Sequence, residues 1–482
     1  MDKAGNQIQL PQTLEECHQL IQELIQMVCK VTHRMNQLEK ENQFLKERLG
    51  LHSQNSSLPP SSDHQKKKNK PKNRSSGRSS GGQLGHRGHF RPLLDTTEVD
   101  DIVYCELPKQ CFCGGEIHAG EEIQRHQVYE LPELKLRVTE YQLVKGFCQR
   151  CHYGHRASLP EGVSWGITGA RLTSLMSSLV AKYKLSRREA QGFLKEHLKF
   201  SLSLGTVFNK QRLVNEVLAQ PVKELLPLLK AESVVNMDET GHRQNANRAW
   251  MWVIATPRGA YYEILASRGK KIVRSLMEGF EGIATTDRYS VYHYFASHHR
   301  QLCWSHLKRD FTRISEKKDR LVSRIGKELL DQEHRLFEAW HAHKNQRITR
   351  DELIRQCEPI RKKVGECLEQ CTYTDPHLRV ARVAKNLLNH FNGLWTFLYE
   401  EGIEPTNNHA EQCLRPWVIW RKKYFGTRSN YGAEYVGRSA SWITTCRLQS
   451  KSAFEYLAQA IKNHFHHIPA PPLIEKLAIS SA

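Results

Sequence analysis

Two aspartates stand directly after short apolar runs, a setting in which carboxylates can hold catalytic metal ions. Asp238 follows the run 234–237, and Asp287 follows the run 282–286. Open α/β sheets place their chemistry at the carboxyl ends of strands, so two such strands lying parallel and adjacent would bring both acids to one edge. Two facing carboxylates repel each other unless a cation lies between them. With a third acid, they can hold two Mg²⁺ or Mn²⁺ ions for in-line phosphoryl transfer.

The third acid is expected on a helix further along the chain. A helical segment begins with Thr406 as its N-cap and stops near Pro416. Helical spacing places Asn407, Glu411 and Arg415 along one face. Spacing alone leaves Glu411 in competition with other glutamates, which are Glu401, Glu404 and Glu434. The basic residues of this region are candidate DNA contacts: Arg415, Arg421, Lys422 and Lys423.

The segments around the two aspartates predict a small sheet with flanking helices. Three strand candidates come first, and the turn Pro257-Arg258-Gly259 between the last two predicts an antiparallel hairpin. Asp238 ends the first of these strands. The predicted strands cover 234–237, 249–255, 260–265, 282–286 and 301–304, and the predicted helices cover 269–277 and 289–295. This β-β-β-α-β-α-β order is that of a ribonuclease-H-like α/β fold.

Length, composition and charge limit the class of protein. A chain of 482 residues with 39% hydrophobic residues is expected to form several domains, and its mean hydropathy of −0.60 predicts solvated segments. The net charge of +20 favours nucleic acid as a partner over a membrane surface or a merely soluble basic protein. The sequence contains no run of about eighteen apolar residues and no signal-peptide pattern. Thirteen scattered cysteines argue against a disulfide framework, so a cytoplasmic location without membrane contact is expected.

Residues 1–52 contain a heptad repeat that predicts a coiled coil. Asn42 is a polar residue in an otherwise apolar a row, which favours a parallel, in-register dimer. The alternative is a single amphipathic helix packed on its own chain. The a positions are Leu14, Ile21, Val28, Met35, Asn42 and Leu49, and the d positions are Cys17, Leu24, Val31, Leu38 and Leu45.

Residues 53–98 have the composition of a basic flexible linker. Nine lysines and arginines and no acid lie between Lys66 and Arg91, and such a segment cannot build a core. It either contacts DNA phosphates without regard to sequence, with an affinity that falls with salt, or is a plain solvated tether.

Residues 99–158 contain two close cysteine pairs that predict a small zinc-binding module. Cys111 and Cys113 precede a glycine pair, and Cys148 and Cys151 follow after a further 34 residues. Four thiolates on two knuckles form a structural Zn²⁺ site, in which metal binding supplies folding free energy. The first pair has one intervening residue where two are usual, so another side chain can replace a nominal ligand: Cys105, His118, His152 or His155. Buried free thiols are the alternative.

Residues 159–224 predict a helical DNA-binding region with helices over 172–183, 186–197 and 204–218. The second helix begins at Ser186 with a capping box. The short breaks between the helices fit a helix-turn-helix whose third helix enters the major groove, and a plain helical connector fits nearly as well. The candidate DNA-reading residues are Thr206, Asn209, Lys210 and Arg212.

Taken together, these motifs resemble the insertion sequence 66 family of bacterial transposases, which are enzymes of the DDE class. The likeness begins with the heptad segment, the stretches 55–63 and 81–89 and the cysteine knuckles. It continues through Met237-Asp238-Glu239-Thr240, Thr286-Asp287 and Cys303-Trp304-Ser305-His306, and it ends with the stretches 407–411 and 414–416.

The resemblance implies that Asp238, Asp287 and Glu411 are the metal-binding triad, which favours Glu411 over the other glutamates. It also implies that Cys303 and His306 support the acid-bearing helix rather than take part in the chemistry. As partners it implies DNA, both the inverted-repeat ends of the element and the target, and small accessory proteins encoded by the same element.

The 124-residue step from Asp287 to Glu411 is longer than one strand and its connections require. Residues 313–399 have helical patterning and predict an all-α insertion. The catalytic core is therefore expected at 225–312 and 400–450, with a C-terminal helix and tail at 451–482.

The expected activity is that of a DNA transposase. Metal-dependent cleavage at the ends of the element would release a 3′-OH, which then attacks target DNA. Two alternatives remain open at this point. One is a dimeric, zinc-containing DNA-binding regulator with a degenerate ribonuclease-H-like domain, and the other is a nuclease or resolvase acting on branched DNA. Joined DNA products would distinguish transposition from both.

Overall fold

The N-terminal heptad segment is one continuous helix in the computed structural model, which describes residues 13–49, 51–52, 54–56, 91–118, 120, 123–374 and 379–475. This helix, α1, covers Leu14–Leu49. Its described side chains are all exposed, including apolar ones such as Ile21 and Leu24. Most of the predicted linker lies outside the described residues. Asn55 and Ser56, however, are buried, so this part of the segment is packed rather than a free tether.

The cysteine-rich segment contains little regular structure. Strands β1 (Lys145–Phe147) and β2 (Gly154–Arg156) form an antiparallel hairpin whose connection carries Cys148 and Cys151. Most described side chains between residues 91 and 165 are exposed. Packing of apolar side chains therefore contributes little to holding this segment together.

The predicted helical region forms a small bundle of α2 (Ala170–Ala181), α3 (Arg187–Leu198) and α4 (Leu204–Val217). The predicted capping box of α3 is present: Ser186 Oγ accepts a hydrogen bond from the Glu189 N–H at 3.1 Å, and the Glu189 carboxylate accepts one from the Ser186 N–H. The buried core of the bundle includes Met176, Leu179, Ala190, Leu194 and Val207. Helix α5 (Ala219–Lys230) then leads into the sheet.

A mixed five-stranded sheet follows, with the spatial order β5-β4-β3-β6-β7. Its strands are β3 (Val234–Gln244), β4 (Asn247–Thr256), β5 (Gly259–Leu265), β6 (Ile283–Thr286) and β7 (Arg300–Leu302). The first three are antiparallel, whereas β6 and β7 extend the sheet parallel to β3. Helix α6 (Lys270–Met277) and a 3₁₀ turn (Ser290–Tyr294) pack against one face, where Trp250 and Trp252 also lie.

Strand β3 is longer than the sequence predicts. The prediction that it ends at Asp238 is wrong, because residues 236–244 pair with β4 in a continuous antiparallel ladder. Parallel pairing with β6 covers only residues 234–236. Asp238 therefore lies within β3, just beyond the point where the parallel ladder stops. The polar composition of residues 238–244 hides this half of the strand from hydrophobic patterning.

The predicted insertion is helical and has its own apolar core. Leu329, Leu336 and Leu387 are fully buried in it. Trp395 meets Trp304 edge to face, with 5.2 Å between ring centroids, which joins this core to the region that follows β7. The helices between β7 and the acid-bearing helix are α7 (Trp304–Ser315), α8 (Arg320–Lys344), α9 (Arg350–Thr372), α10 (Arg379–Asn389) and α11 (Thr396–Tyr399).

The acid-bearing helix, α12 (Asn408–Tyr424), differs from its prediction at both ends. Asn407 rather than Thr406 occupies the N-cap position. The helix also continues past Pro416, because Trp417 and Trp420 are buried against β4 and α13 (Asn430–Leu448). This burial offsets the backbone hydrogen bond that a proline inside a helix removes.

Helix α14 (Ala453–Phe465) packs on α2 and α4 and completes the described part of the chain. None of the helices that the structure describes has both the length and the apolar composition needed to cross a membrane.

Candidate active site

Asp238 faces the side of the sheet on which α12 packs. It pairs across the ladder with Val253 of β4, which lies in the same apolar cluster as Leu414 of α12. Its Oδ1 accepts a hydrogen bond of 2.8 Å from the Glu239 N–H. Removal from water and the negative charges of Glu239 and Asp287 raise the pKa of Asp238 well above its usual range. Such an excess of negative charge favours a bound cation.

Asp287 directly follows β6, as predicted, and the backbone around it is firmly held. Its Oδ1 accepts a hydrogen bond from the Tyr289 N–H at 2.9 Å. Its carbonyl oxygen accepts one from Arg300 Nη2 at 2.6 Å, and Arg300 Nε donates to Thr286 Oγ1 at 2.8 Å. The sequence analysis missed Arg300, although an arginine directly before the predicted strand 301–304 was a visible signal.

Arg300 is buried on β7, which makes it unusual among arginines. Burial lowers its pKa to about 10, and the charge of Asp287 partly opposes this effect. The residue remains a cation at neutral pH. Its hydrogen bonds to Thr286 and Asp287 support the backbone that carries the second acid.

Glu411 lies in the first turn of α12, which is tied to β3 by a pair of asparagines. Asn407 Nδ2 donates to the Met237 carbonyl oxygen at 2.7 Å, and Asn236 Nδ2 donates to Asn407 Oδ1 at 3.1 Å. The Glu411 N–H donates to the Asn407 carbonyl oxygen at 3.2 Å. Asn236 lies two residues before Asp238 and so shares its face of the strand, a spacing that could have identified it.

The other glutamates considered from the sequence have different surroundings. Glu404 forms an ion pair with Lys344, and Glu434 pairs with Arg438 at 3.3 Å on α13. Glu401 is exposed. Glu411 thus differs from all three in being half-buried beside His306.

Cys303, His306 and Glu411 form a compact group at the start of α7 and α12. One potential ligand atom from each lies within 4.8 Å of the other two, and His306 Nδ1 is 3.5 Å from Glu411 Oε1. The Asn407 N–H donates to Cys303 Sγ at 3.1 Å. Burial lowers the pKa of His306, but the Cys303 thiol and the charges of Asp287 and Glu411 outweigh burial and raise it to about 9.

The structure therefore brings Asp238 close to Asp287, and His306 close to both Asp287 and Glu411. Within the described part of the chain, the three carboxylates do not form a compact group of the kind that Cys303, His306 and Glu411 form. Glu411 Oε1 and His306 Nδ1 are buried and lie 3.5 Å apart, and neither forms a hydrogen bond to any residue that the structure describes. Orphaned polar atoms in such a position favour an additional polar group or ion.

Glu239 points to the opposite face of the sheet from Asp238, as alternation along a strand predicts. It is buried there, where Arg268 Nε donates to Glu239 Oε1 at 2.7 Å and the Tyr292 hydroxyl donates to Oε2. Burial and the charge of Asp287 raise the pKa of Glu239, which its two donors partly oppose. The carboxylate of Glu239 therefore affects the pKa of Asp238 through its charge and does not face the candidate metal site.

The predicted DNA contacts fall into two groups. Arg212, Arg415 and Lys422 are exposed. The other three are at least partly engaged. Lys210 is half-buried, and burial lowers its pKa. Arg421 donates to the Gly241 carbonyl oxygen, and Lys423 forms an ion pair of 3.2 Å with Glu189 of α3.

The four predicted zinc ligands form two separate pairs. The Cys113 thiol interacts with Cys111, and the Cys148 thiol interacts with Cys151. Hydrogen bonds, from the Gly115 backbone to Cys113 and from the Cys151 backbone to Cys148, lower the pKa of both thiols. Among the described residues, the two pairs do not form one group with metal-ligand spacing.

Known families and a curated relative match this chain over most of its length. Residues 6–92 match a family of unknown function (DUF6444). A curated relative from Sinorhizobium fredii (strain NBRC 101917 / NGR234), described as "Uncharacterized protein y4hP", is 24% identical over 427 residues, which are 80% of this chain and 76% of that protein.

A further match covers the sheet, the insertion and the acid-bearing helix. Residues 166–435 match the family described as "Transposase IS66 family". The matched residues make up more than half of the chain and contain all three predicted acids as well as Cys303 and His306. The chain therefore belongs to the IS66 family of transposases.

Proposed function

We propose that this transposase is a DDE enzyme that cleaves DNA at the ends of its element and joins the released 3′-OH to target DNA. One observation carries the proposal. Asp238 lies just beyond the parallel ladder of β3 with β6, and Asp287 directly follows β6, near enough for its charge to act on Asp238. The helix that bears Glu411 is hydrogen-bonded to the same strand as Asp238. The strand order is β5-β4-β3-β6-β7. Strands β4 and β5 lie antiparallel on one side of β3, and β6 and β7 lie parallel to it on the other, an arrangement that supports a ribonuclease-H-like core.

The donor set fits the metal that this activity requires. Asp238, Asp287 and Glu411 supply carboxylate oxygens, the ligands that Mg²⁺ and Mn²⁺ prefer. The raised pKa of Asp238 and the buried Glu411 Oε1, which forms no hydrogen bond among the described residues, both support a cation near these side chains. When bound, two such ions supply positive charge that stabilises the phosphoryl oxygens.

The reaction consists of two in-line displacements at phosphorus. In the first, the oxygen of a water molecule bonds to phosphorus, the bond to the 3′-oxygen breaks, and that oxygen leaves as a 3′-OH. In the second, the 3′-OH loses its proton and bonds to a target phosphorus, whose own bond to a 3′-oxygen breaks, and that oxygen takes up a proton and leaves as a new 3′-OH. No oxidant or covalent enzyme intermediate is needed. The chain contributes position and charge.

Hydrogen bonds and neighbouring side chains hold the three acids in place for this positioning role. Backbone N–H groups fix one oxygen each of Asp238 and Asp287. Cys303 Sγ accepts a hydrogen bond from the Asn407 N–H, and His306 Nδ1 lies 3.5 Å from Glu411 Oε1. We assign Cys303 and His306 a positioning role for Glu411, in line with the motif that they form in the sequence.

A strand-transfer assay tests the proposed function. The full chain, with the accessory proteins of the element, is incubated with Mg²⁺, labelled duplexes carrying the element ends, and a target plasmid. Asp238→Asn, Asp287→Asn and Glu411→Gln are expected to abolish both cut and joined products, whereas Glu404→Gln retains them. Wild-type levels of joined product from any of the three variants would remove that residue from the triad.

The exposed apolar row of α1 supports self-association. Ile21, Leu24 and Val28 are each more than half exposed, and no described side chain of α1 is buried. Large exposed apolar rows are covered by a partner in most soluble proteins. We propose that two copies of the chain pair through this helix as a parallel coiled coil.

The cysteine pairs support a structural zinc site. In each pair the two thiols interact, and the pKa of one of them is lowered. A lowered pKa favours the thiolate, which is the form that binds Zn²⁺. The segment has few buried apolar side chains to stabilise it. We propose that the zinc ligands are Cys111, Cys113, Cys148 and Cys151.

We also propose that the bundle of α2 to α4 contacts DNA through Lys210 and Arg212.

A further inference from the structure

A pocket of about 390 Å³ opens beside the candidate active site. Asp287 and His306 form one of its sides, and Asn386 of α10 and Ser56 of the N-terminal segment also line it. Its remaining surface is strongly basic. Five arginines contribute to it: Arg268, Arg288, Arg309, Arg313 and Arg379.

Two acids in or near the pocket are already neutralised by arginines. Arg288 Nε and Nη2 donate to Asp310 Oδ2 at 3.1 and 2.9 Å. Arg313 Nη1 lies 3.9 Å from Asp310 Oδ1. Arg268 is engaged with the buried carboxylate of Glu239. These ion pairs hold the walls of the pocket in place and neutralise only part of its positive charge.

The positive charges of the pocket that no described acid neutralises are those of Arg309 and Arg379. Within the described part of the chain, neither guanidinium forms an ion pair or a hydrogen bond to another residue. Arg309 is half-buried on α7, one turn after His306, and Arg379 is exposed at the start of α10. A guanidinium that is partly removed from water without a partner is costly, and phosphate is the anion that its planar fork binds best.

The N-terminal segment is built into the wall of this pocket. Asn55 is 2% exposed, and its Nδ2 donates to Glu316 Oε2 at 2.7 Å. His52 Nε2 lies 3.0 Å from Glu316 Oε1, and Arg313 donates to the Asn55 carbonyl oxygen. These contacts hold Ser56 at the pocket, where its neighbours are the arginines rather than bulk solvent.

We propose that this pocket binds a backbone phosphate of the DNA strand adjacent to the scissile phosphate, with Arg309 and Arg379 as its ligands. The inference rests on the proposed function, because a phosphate beside Asp287 has a role only if DNA is processed there. A phosphate contact carries no sequence information, so the pocket fixes the register of the strand rather than selecting a sequence. Arg309 and Arg379 are therefore positioning residues.

Salt-dependent binding of DNA tests this assignment. Binding of the full chain to a labelled duplex carrying an element end, and to a scrambled duplex, is measured in Ca²⁺ from 50 to about 200 mM salt. Arg309→Gln and Arg379→Gln are each expected to weaken binding equally for both duplexes. Each is also expected to reduce the slope of log K against log salt by about 0.9, the effect of one lost phosphate contact.

Matched variants separate this role from a structural one. Lys462→Gln removes the same charge from an exposed position on α14 and is expected to leave the slope unchanged. Arg309→Lys retains the charge and is expected to recover most of the slope but not the full affinity, because lysine lacks the bidentate fork. Thermal unfolding of all variants identifies any that are misfolded.

The outcomes distinguish this inference from the proposed function. An unchanged slope for both arginine variants, or no DNA binding by the wild-type chain, overturns the phosphate pocket. Normal strand transfer by Asp238→Asn overturns the proposed function, whatever the arginine variants do. A reduced slope together with inactive triad variants supports both.

Discussion

Asn407 Nδ2 donates a hydrogen bond of 2.7 Å to the carbonyl oxygen of Met237, the residue before Asp238. The two residues are 170 positions apart in the sequence, and Asn407 is fully buried. This contact places the first turn of the acid-bearing helix on the strand that carries the first acid. Because a buried amide without its partner is costly, the contact restricts how far Glu411 can move from Asp238.

Replacing Asn407 with alanine is expected to reduce strand transfer by about a hundredfold, since misplacing a reacting group by about 1 Å has an effect of that size. Loss of its buried hydrogen bonds is also expected to lower the free energy of unfolding by about 1–3 kcal/mol. Product formation and chemical denaturation measure the two effects. Gln412→Ala, at an exposed position on the same helix, is the control. Wild-type transfer by Asn407→Ala would contradict the positioning role.

Replacing His306 with glutamine removes the imidazole that lies 3.5 Å from Glu411 Oε1 and orients that carboxylate. We expect a loss of about tenfold to a hundredfold in strand transfer, the usual range for residues that orient metal ligands. The concentration of Mg²⁺ needed for half-maximal activity is expected to rise, which a purely structural defect would not cause. Titration of the activity with Mg²⁺ measures this. His464→Gln, exposed on α14, is expected to behave like the wild type, and an unchanged Mg²⁺ requirement for His306→Gln would count against the assignment.

A charge placed in the apolar row of α1 is expected to break self-association. Ile21→Asp buries a carboxylate at an a position of the proposed coiled coil, so sedimentation should detect monomers where the wild-type chain forms dimers. Gln26→Asp introduces the same charge at an outer heptad position and should leave dimers intact. Equal masses for the wild type and Ile21→Asp would show that α1 is not the dimer contact.

Removal of one proposed zinc ligand is expected to release the ion without unfolding the rest of the chain. Cys148→Ser should reduce bound zinc from roughly one ion per chain to near zero, because a structural site needs all four ligands. None of the apolar cores in the described part of the chain contains a residue of the cysteine-rich segment, so the main thermal transition should persist. Elemental analysis and calorimetry measure the two quantities. Cys29→Ser, in α1, should retain the ion, and zinc retention by Cys148→Ser would indicate a different ligand set.

The sequence by itself was sufficient for features that depend on neighbouring residues. The capping box at Ser186 and the strand that precedes Asp287 follow from patterns only a few residues long. The buried leucines of the insertion and the exposed apolar row of α1 follow from helical periodicity. Such patterns act through local backbone geometry and one buried face, so they can be read without knowledge of the fold.

Tertiary structure decided the features that depend on contacts between distant segments. Strand β3 continues past Asp238 because β4 supplies hydrogen-bond partners to a polar stretch. Helix α12 continues past Pro416 because Trp417 and Trp420 are buried beneath it. The docking of Asn55, and the lack of a partner for Arg309 among the described residues, were not apparent in the sequence, since each depends on the charges and hydrogen bonds that other segments bring to it. Burial makes such partners decisive, because an unpaired polar group costs far more inside the protein than in water.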